Sequence, residues 1–235
     1  MNLYPVLTKE LKSLANKDKA VIMQRFFKTG IGEYGEGDKF LGVTVPQQRN
    51  LVKKYYKDAT QELILKLMYS KIHEERLTGI LILVEKFKKA ITKNEQANWA
   101  KLYIKNAHQI NNWDLVDSSA HLILGKWLED QDKKILYQFV NADSLWKNRI
   151  AIVATLHFIR KKEFDDLLKL SKILLSHPHD LIHKATGWML REAWNKDNTI
   201  IEEFLQLHYL KMPRTMLRYA IEKMPENKRK WFLKK

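Results

Sequence analysis

The chain of 235 residues contains no cysteine. That excludes a disulfide framework, a thiolate zinc site and a cysteine nucleophile, and it suits a reducing cytosol. Glycine is scarce and unevenly spread: five of the eight crowd into TGIGEYGEGDKFLG, which ends at Gly42. No apolar run approaches the roughly 18–20 residues that span a bilayer. The opening MNLYPVLTKELK has neither the apolar centre nor the small-residue cleavage site of a signal peptide. No membrane association is expected, and the expected location is the bacterial cytosol or nucleoid. Acid is short as well: 27 Asp and Glu face 42 Lys and Arg, a formal net charge of +15. Such an excess favours polyanionic partners, nucleic acid first among them.

What is present is apolar and helical. Hydrophobic residues make up 45% of the chain and aromatics 11%, enough to bury a core and to set disorder aside. Leu63, Ile64, Leu67 and Met68 recur with the spacing of one helical stripe, as do Leu77, Ile80, Leu81 and Val84. Thr92 with Glu95 resembles a capping box, and Pro46 and Pro213 suit first helical turns. No strand pair joined by a two-residue turn is found. The length fits a single domain over 1–235, all-α: N-terminal helices 1–29, a Gly-rich loop 30–43, repeats over about 46–224 and a basic capping tail 225–235.

The repeats show when Arg76 (RLTGILIL), Arg149 (RIAIVATL), Lys184 (KATGWMLR) and Arg218 (RYAIEKM) are placed in one column. The spacings are 73, 35 and 34 residues, the first being about two repeats with its missing member near Asp117. A period in the middle thirties predicts an α-solenoid of HEAT-like helix pairs, stacked because one pair cannot bury its own apolar face. The expected shape is curved, with a concave basic face. Gly79, Ala151, Gly187 and Ala220 follow the basic residues and read as close-packing positions. If the repeats superpose, the basic residues form a ladder suited to duplex DNA, which carries about one phosphate charge per 1.7 Å of axis. The plainer alternative is a solvated helix face.

Asn111-Asn112-Trp113-Asp114-Leu115-Val116-Asp117 is the segment most suggestive of chemistry. On a helix Trp113 and Asp117 share one face, although an aromatic beside an acid is also common in a core. Arg149, with Lys147 two residues before it, heads the next repeat, and Trp188 sits one repeat further on. Stacking would bring Trp113, Asp117, Arg149 and Trp188 along one concave wall.

These segments, NNWDLVDS, SLWKNRIAI and HKATGWMLREAW, together with MQRFFK and KFLGVTVPQQRNLVKKY, resemble the AlkD-type DNA alkylation-repair glycosylases, built from HEAT-like repeats. The resemblance runs from about residue 20 to residue 224. It implies a catalytic cleft formed by Trp113, Asp117 and Trp188, with Arg149 on the DNA backbone beside the lesion. Lys147, Lys184, Arg218 and Arg76 are the further DNA-binding candidates. A tyrosine often stands in the family where Phe26 falls here, so a hydroxyl able to bond a phosphate is missing. Some relatives lack the aspartate and look like non-catalytic binders; Asp117 argues against placing this chain with them.

The implied substrate is double-stranded DNA bearing purines alkylated at N3 or N7. Such a base is already cationic and leaves readily, so a carboxylate that stabilises the oxocarbenium-like sugar suffices. Indole faces add about 0.5–2 kcal/mol each by cation–π attraction. The resemblance implies a lesion that stays stacked rather than being flipped out. No metal and no cofactor are expected, no obligate protein partner either, and the chain is expected to be a monomer. The alternative is a HEAT-like binder of branched or damaged DNA without chemistry.

Other signals are weaker. His179 and His183 have the i, i+4 spacing of a zinc helix, with His177 nearby, but they read as a polar turn entering a helix. The Gly-rich loop lacks a Gly-Lys-Ser/Thr ending and its acids, Glu33, Glu36 and Asp38, oppose phosphate; it reads as a mobile connection. In the basic tail, Trp231, Phe232 and Leu233 read as a cap on the array, the alternative being an extra grip on DNA.

Overall fold

Helix follows helix from Leu3 to Leu233, and among the described residues no β-strand forms; a single isolated bridge joins Lys39 to Ile72. The computed structural model describes residues 3–234. Residues 1, 2 and 235, the extremities of the expected N-terminal helices and tail, lie outside the described residues. Among the described residues no helix is long and apolar enough to cross a membrane. The chain forms two compact units, Met1–Ser119 and Ala120–Lys235.

The first unit holds α1 (Leu3–Ser13), α2 (Lys17–Phe26), α3 (Val45–Tyr55), α4 (Gln61–Met68), α5 (His73–Lys89), α6 (Lys93–Lys105) and the short α7 (Trp113–Asp117). α5 is its axis: residues 73–84 are all buried, and α3, α4, α6 and α7 pack on it. Side-chain caps start the helices, with Thr60 and Thr92 accepting from Leu63 N–H and Glu95 N–H. The Glu95 carboxylate returns to Ile91 N–H at 3.0 Å, one residue ahead of the cap, close to the expected box. Pro46 does lie in the first turn of α3.

The Gly-rich segment between α2 and α3 is anchored rather than a loose connection. Buried Glu74 accepts from the amides of Leu41, Gly42 and Val43 at 2.7–3.1 Å, and Asp38 turns inward to α5. Gly42 is required by geometry: it has φ +82°, and a Cβ there would lie 2.1 Å from the Asn16 carbonyl.

The second unit begins with a π-helical turn (His121–Gly125) and continues with α8 (Lys134–Val140), α9 (Leu145–Ala154), α10 (Leu156–Ile159), α11 (Asp165–Ile173), α12 (Asp180–Trp194), α13 (Asn198–His208), α14 (Arg214–Ala220) and α15 (Glu226–Leu233). α9 is buried over residues 148–154, and α12 packs against α9, α13 and α14. Pro213 is the N-cap of α14 instead of a first-turn residue. Gly187 does set a close approach. A Cβ at Gly187 would lie 2.4 Å from the Met216 carbonyl and 2.5 Å from Tyr219 Cβ, so α12 and α14 touch backbone to backbone. The tail caps this unit: Phe232 is buried against Tyr209, and Lys228 holds both carboxylate oxygens of Glu202 at 2.7 Å.

Candidate active site

α7 is only five residues long, too short to persist on its own, so its neighbours must hold it. It begins at Asn112, a fully buried N-cap whose side-chain oxygen accepts from Trp113 N–H at 2.8 Å. Trp113 and Asp117 are its first and last residues, on one face and both half-buried. The Asp117 carboxylate adds to burial, the larger cause, in pushing up the pKa of the enclosed Tyr103 hydroxyl, against the opposing Ser119 hydrogen bond. That hydroxyl lies 3.0 Å from Ser119 Oγ, which donates to the Leu115 carbonyl at 2.6 Å and ties the far side of α7 to α6.

The near side of α7 is held by a charged network. His73, at the start of α5, is buried and has a carboxylate on each ring nitrogen: Nδ1 to Asp38 at 3.0 Å and Nε2 to Asp114 at 2.8 Å. A neutral imidazole carries one N–H, so two such bonds call for the imidazolium. Burial works against the charge, but the two carboxylates outweigh it and the pKa is pushed up to about 9. Asp38 also accepts from Arg76 at 2.6 Å and from Asn112 at 3.1 Å. Burial pushes its carboxyl pKa up, yet the His73 and Arg76 cations prevail and hold it below its ordinary value.

Rings cover the network. The imidazole stacks on Phe40 with centroids 4.5 Å apart and lies 4.8 Å from Phe27, and Phe27 stacks flat on Trp113 at 5.0 Å. Phe26, 65% exposed, meets Trp113 edge-on at 5.8 Å.

The other predicted site residues lie in the second unit. Arg149 and Lys147 are on α9, Lys184 and Trp188 on α12, and Arg218 on α14. Trp188 is half-buried and donates from its indole N–H to Glu192 at 3.1 Å. Lys184 pairs with Asp180 at 2.7 Å, Lys147 lies 5.9 Å from the Phe139 ring, and Arg218 is exposed. Two members of the expected cation ladder are corrected. Arg76 is 4% exposed and committed to Asp38 and the Ser70 carbonyl. Arg149 is 5% exposed and donates to the Leu181 carbonyl at 2.6 Å. Neither stands on a solvent face.

His177, His179 and His183 serve the backbone at the start of α12. The His177 and His179 rings accept amides at 3.0 and 3.1 Å, and His183 bonds the His177 carbonyl. Among the described residues no group of three or more His, Asp or Glu converges as a metal site requires.

The profile of the DNA alkylation repair enzyme family matches residues 7–224. The chain belongs to this family. A solved structure described as a predicted DNA alkylation repair enzyme from Enterococcus faecalis matches with a TM-score of 0.73 at 19% identity, over 90% of this chain and 97% of that one. At that identity the likeness carries the all-α fold. No curated protein matches.

For a DNA alkylation repair enzyme, the residues that sequence reasoning passed over are those that hold Trp113 and Asp117: His73, Asp38, Asp114, Asn112 and the Phe27–Phe40 pair. Asp114 was visible inside the NNWDLVDS segment. Asp38 was visible too, but as an acid in a loop; its partners are 35 and 38 residues away, beyond any local pattern.

Proposed function

We propose that this DNA alkylation repair enzyme is a monofunctional glycosylase that hydrolyses the N-glycosidic bond of N3- or N7-alkylated purines in duplex DNA. It acts as a monomer and leaves an abasic site. The observation that carries the reading is α7: a five-residue helix fixed on both sides, with Trp113 at its head and Asp117 at its end, inside the segment that resembles the AlkD-type glycosylases.

In this reading Asp117 supplies the carboxylate. Departure of the cationic base takes the bonding electron pair with it and leaves positive charge on the deoxyribose. Asp117 stabilises that charge and orients the water whose oxygen bonds to C1′, the released proton passing to solvent. Trp113 offers an indole face to the cation, and the resemblance implies the same part for Trp188. The exposed Arg218, with Lys184 and Lys147, grips phosphates as point contacts, and the net charge of +15 draws duplex DNA in. The burial of Arg76 and Arg149 gives them a supporting role in the fold.

The test is incubation with methylated duplex DNA and chromatography of the released bases. The parent releases 3-methyladenine or 7-methylguanine above the spontaneous rate. Asp117→Asn binds the duplex as before and releases base about 10²–10³ slower, the effect of one preorganised charge. The second reading, a binder of branched or damaged DNA, is favoured by the exposed Phe26 in place of a phosphate-bonding tyrosine. It requires tight binding with no base released by the parent.

A further inference from the structure

Three consecutive residues at the head of α7 are each gripped from the same place. Asn112 donates to Asp38, which accepts from His73; Trp113 stacks on Phe27, which covers the His73 ring; Asp114 accepts from His73 directly. The partners come from the Gly-rich segment and from α5, while α7 has too few residues to fix its own position. Two of these ties end on one imidazole ring or on a carboxylate bonded to it, and the third runs through a ring packed on it; Arg76 holds Asp38 beside it.

We infer that His73 is a positioning residue for α7: clamped between Asp38 and Asp114, its imidazolium holds the short helix that carries Trp113 and Asp117, and the hold loosens when the ring loses its proton. The charged groups around the ring are few. Asp38 faces it from the Gly-rich segment and Asp114 from α7. Arg76, on its own helix, lies 3.4 Å from Nδ1 and is itself neutralised by Asp38. The neighbouring acids of α5 turn elsewhere, Glu74 to the amides of residues 41–43 and Glu75 to the Tyr4 hydroxyl. Removing the ring proton leaves two carboxylates competing for one N–H and weakens the pull on Asp114. It also removes the cation that lies against Phe27 and Phe40.

The inference rests on the glycosylase reading for its activity arm alone. The structural arm uses the full chain grown with 5-fluorotryptophan, the Trp113 fluorine resonance being assigned by its loss in Trp113→Phe. We expect that resonance to shift in one step with a midpoint near pH 9, as the raised His73 pKa requires. Asp38→Asn, which keeps the shape of the side chain, moves the midpoint to lower pH, and His73→Gln abolishes the step. A Trp113 resonance that stays still between about pH 7 and 10 overturns the inference, as does a step unmoved by Asp38→Asn. Should His73→Gln not fold, the parent and Asp38→Asn decide the matter alone.

In the activity arm, at one neutral pH, Asp38→Asn lowers kcat for 3-methyladenine release by about ten- to a hundred-fold with KM nearly unchanged, as for a displaced reacting group. An unchanged kcat with a raised KM overturns positioning. A parent that releases no base defeats the glycosylase reading, and the fluorine titration still decides on His73.

Discussion

The guanidinium of Arg149 donates to the carbonyl of Leu181 at 2.6 Å, linking the buried middle of α9 to the first turn of α12. An exposed member of a cation ladder would direct that charge outward. Here the planar, multi-donor head satisfies a carbonyl inside the protein, a use for which arginine is better suited than lysine. Arg149→Ala is therefore expected to lower stability by about 1.5–3 kcal/mol, the range for a hydrogen bond to a charged group. Urea unfolding checks it: the midpoint falls at constant slope. An unchanged midpoint places the charge at the surface after all.

Arg218 gives the opposite outcome. It lies exposed on α14, so its replacement by alanine should leave the urea midpoint within about 0.5 kcal/mol of the parent. If it contacts a phosphate, affinity for duplex DNA falls and the slope of log affinity against log salt becomes shallower by about 0.9. Fluorescence anisotropy across a salt series measures both. A steep parent slope that Arg218→Ala does not alter removes Arg218 from the interface.

Gly187 tests the close approach of α12 and α14. Alanine improves helix propensity by about 0.5–1 kcal/mol, which on an open helix would stabilise. At Gly187 the added methyl meets a carbonyl oxygen at 2.4 Å and the Cβ of Tyr219 at 2.5 Å, so the helices must move apart. A net loss of about 1–3 kcal/mol is expected for Gly187→Ala, and less for Gly79→Ala, whose tightest neighbour is Leu67 Cβ at 2.8 Å. Thermal melts of the two variants settle the order.

The same helices show what could be read from sequence. Stripes such as Leu63, Ile64, Leu67 and Met68 are local, and all four residues are buried on α4. The all-α fold and the packing role of Gly79 and Gly187 were legible for that reason. Two members of the basic column are buried, because a basic residue at the head of an apolar helical run can point inward as readily as outward. α5 and α9 are buried along most of their length, so Arg76 and Arg149 have no solvent face to occupy, whereas α12 and α14 keep one for Lys184 and Arg218. Trp113 and Asp117 were legible as an i, i+4 pair. The cradle that holds them was not, since His73 and Asp114 are 41 residues apart and nothing near either announces the other.

That cradle predicts an alkaline limit to stability. The His73 pKa is raised to about 9 in the folded chain from an ordinary 6.5, so the folded state binds the proton more tightly than the unfolded state. The resulting stabilisation, up to about 3 kcal/mol, is complete below pH 6.5 and is lost as pH climbs to about 9. Asp38 acts with the opposite sign: its carboxyl pKa is lowered, so its contribution is present above the ordinary carboxylate range and is lost in acid. Burial lowers the pKa of His157, His177 and His208, and their effect is confined to pH values below the ordinary histidine range. Of these four histidines, only His73 gives up its stabilising proton between pH 6.5 and 9. Urea midpoints measured across that window should fall steadily for the parent and stay nearly level for His73→Gln, which starts from a lower value. Equal slopes in the two proteins would mean that the His73 ring is not charged in the folded state.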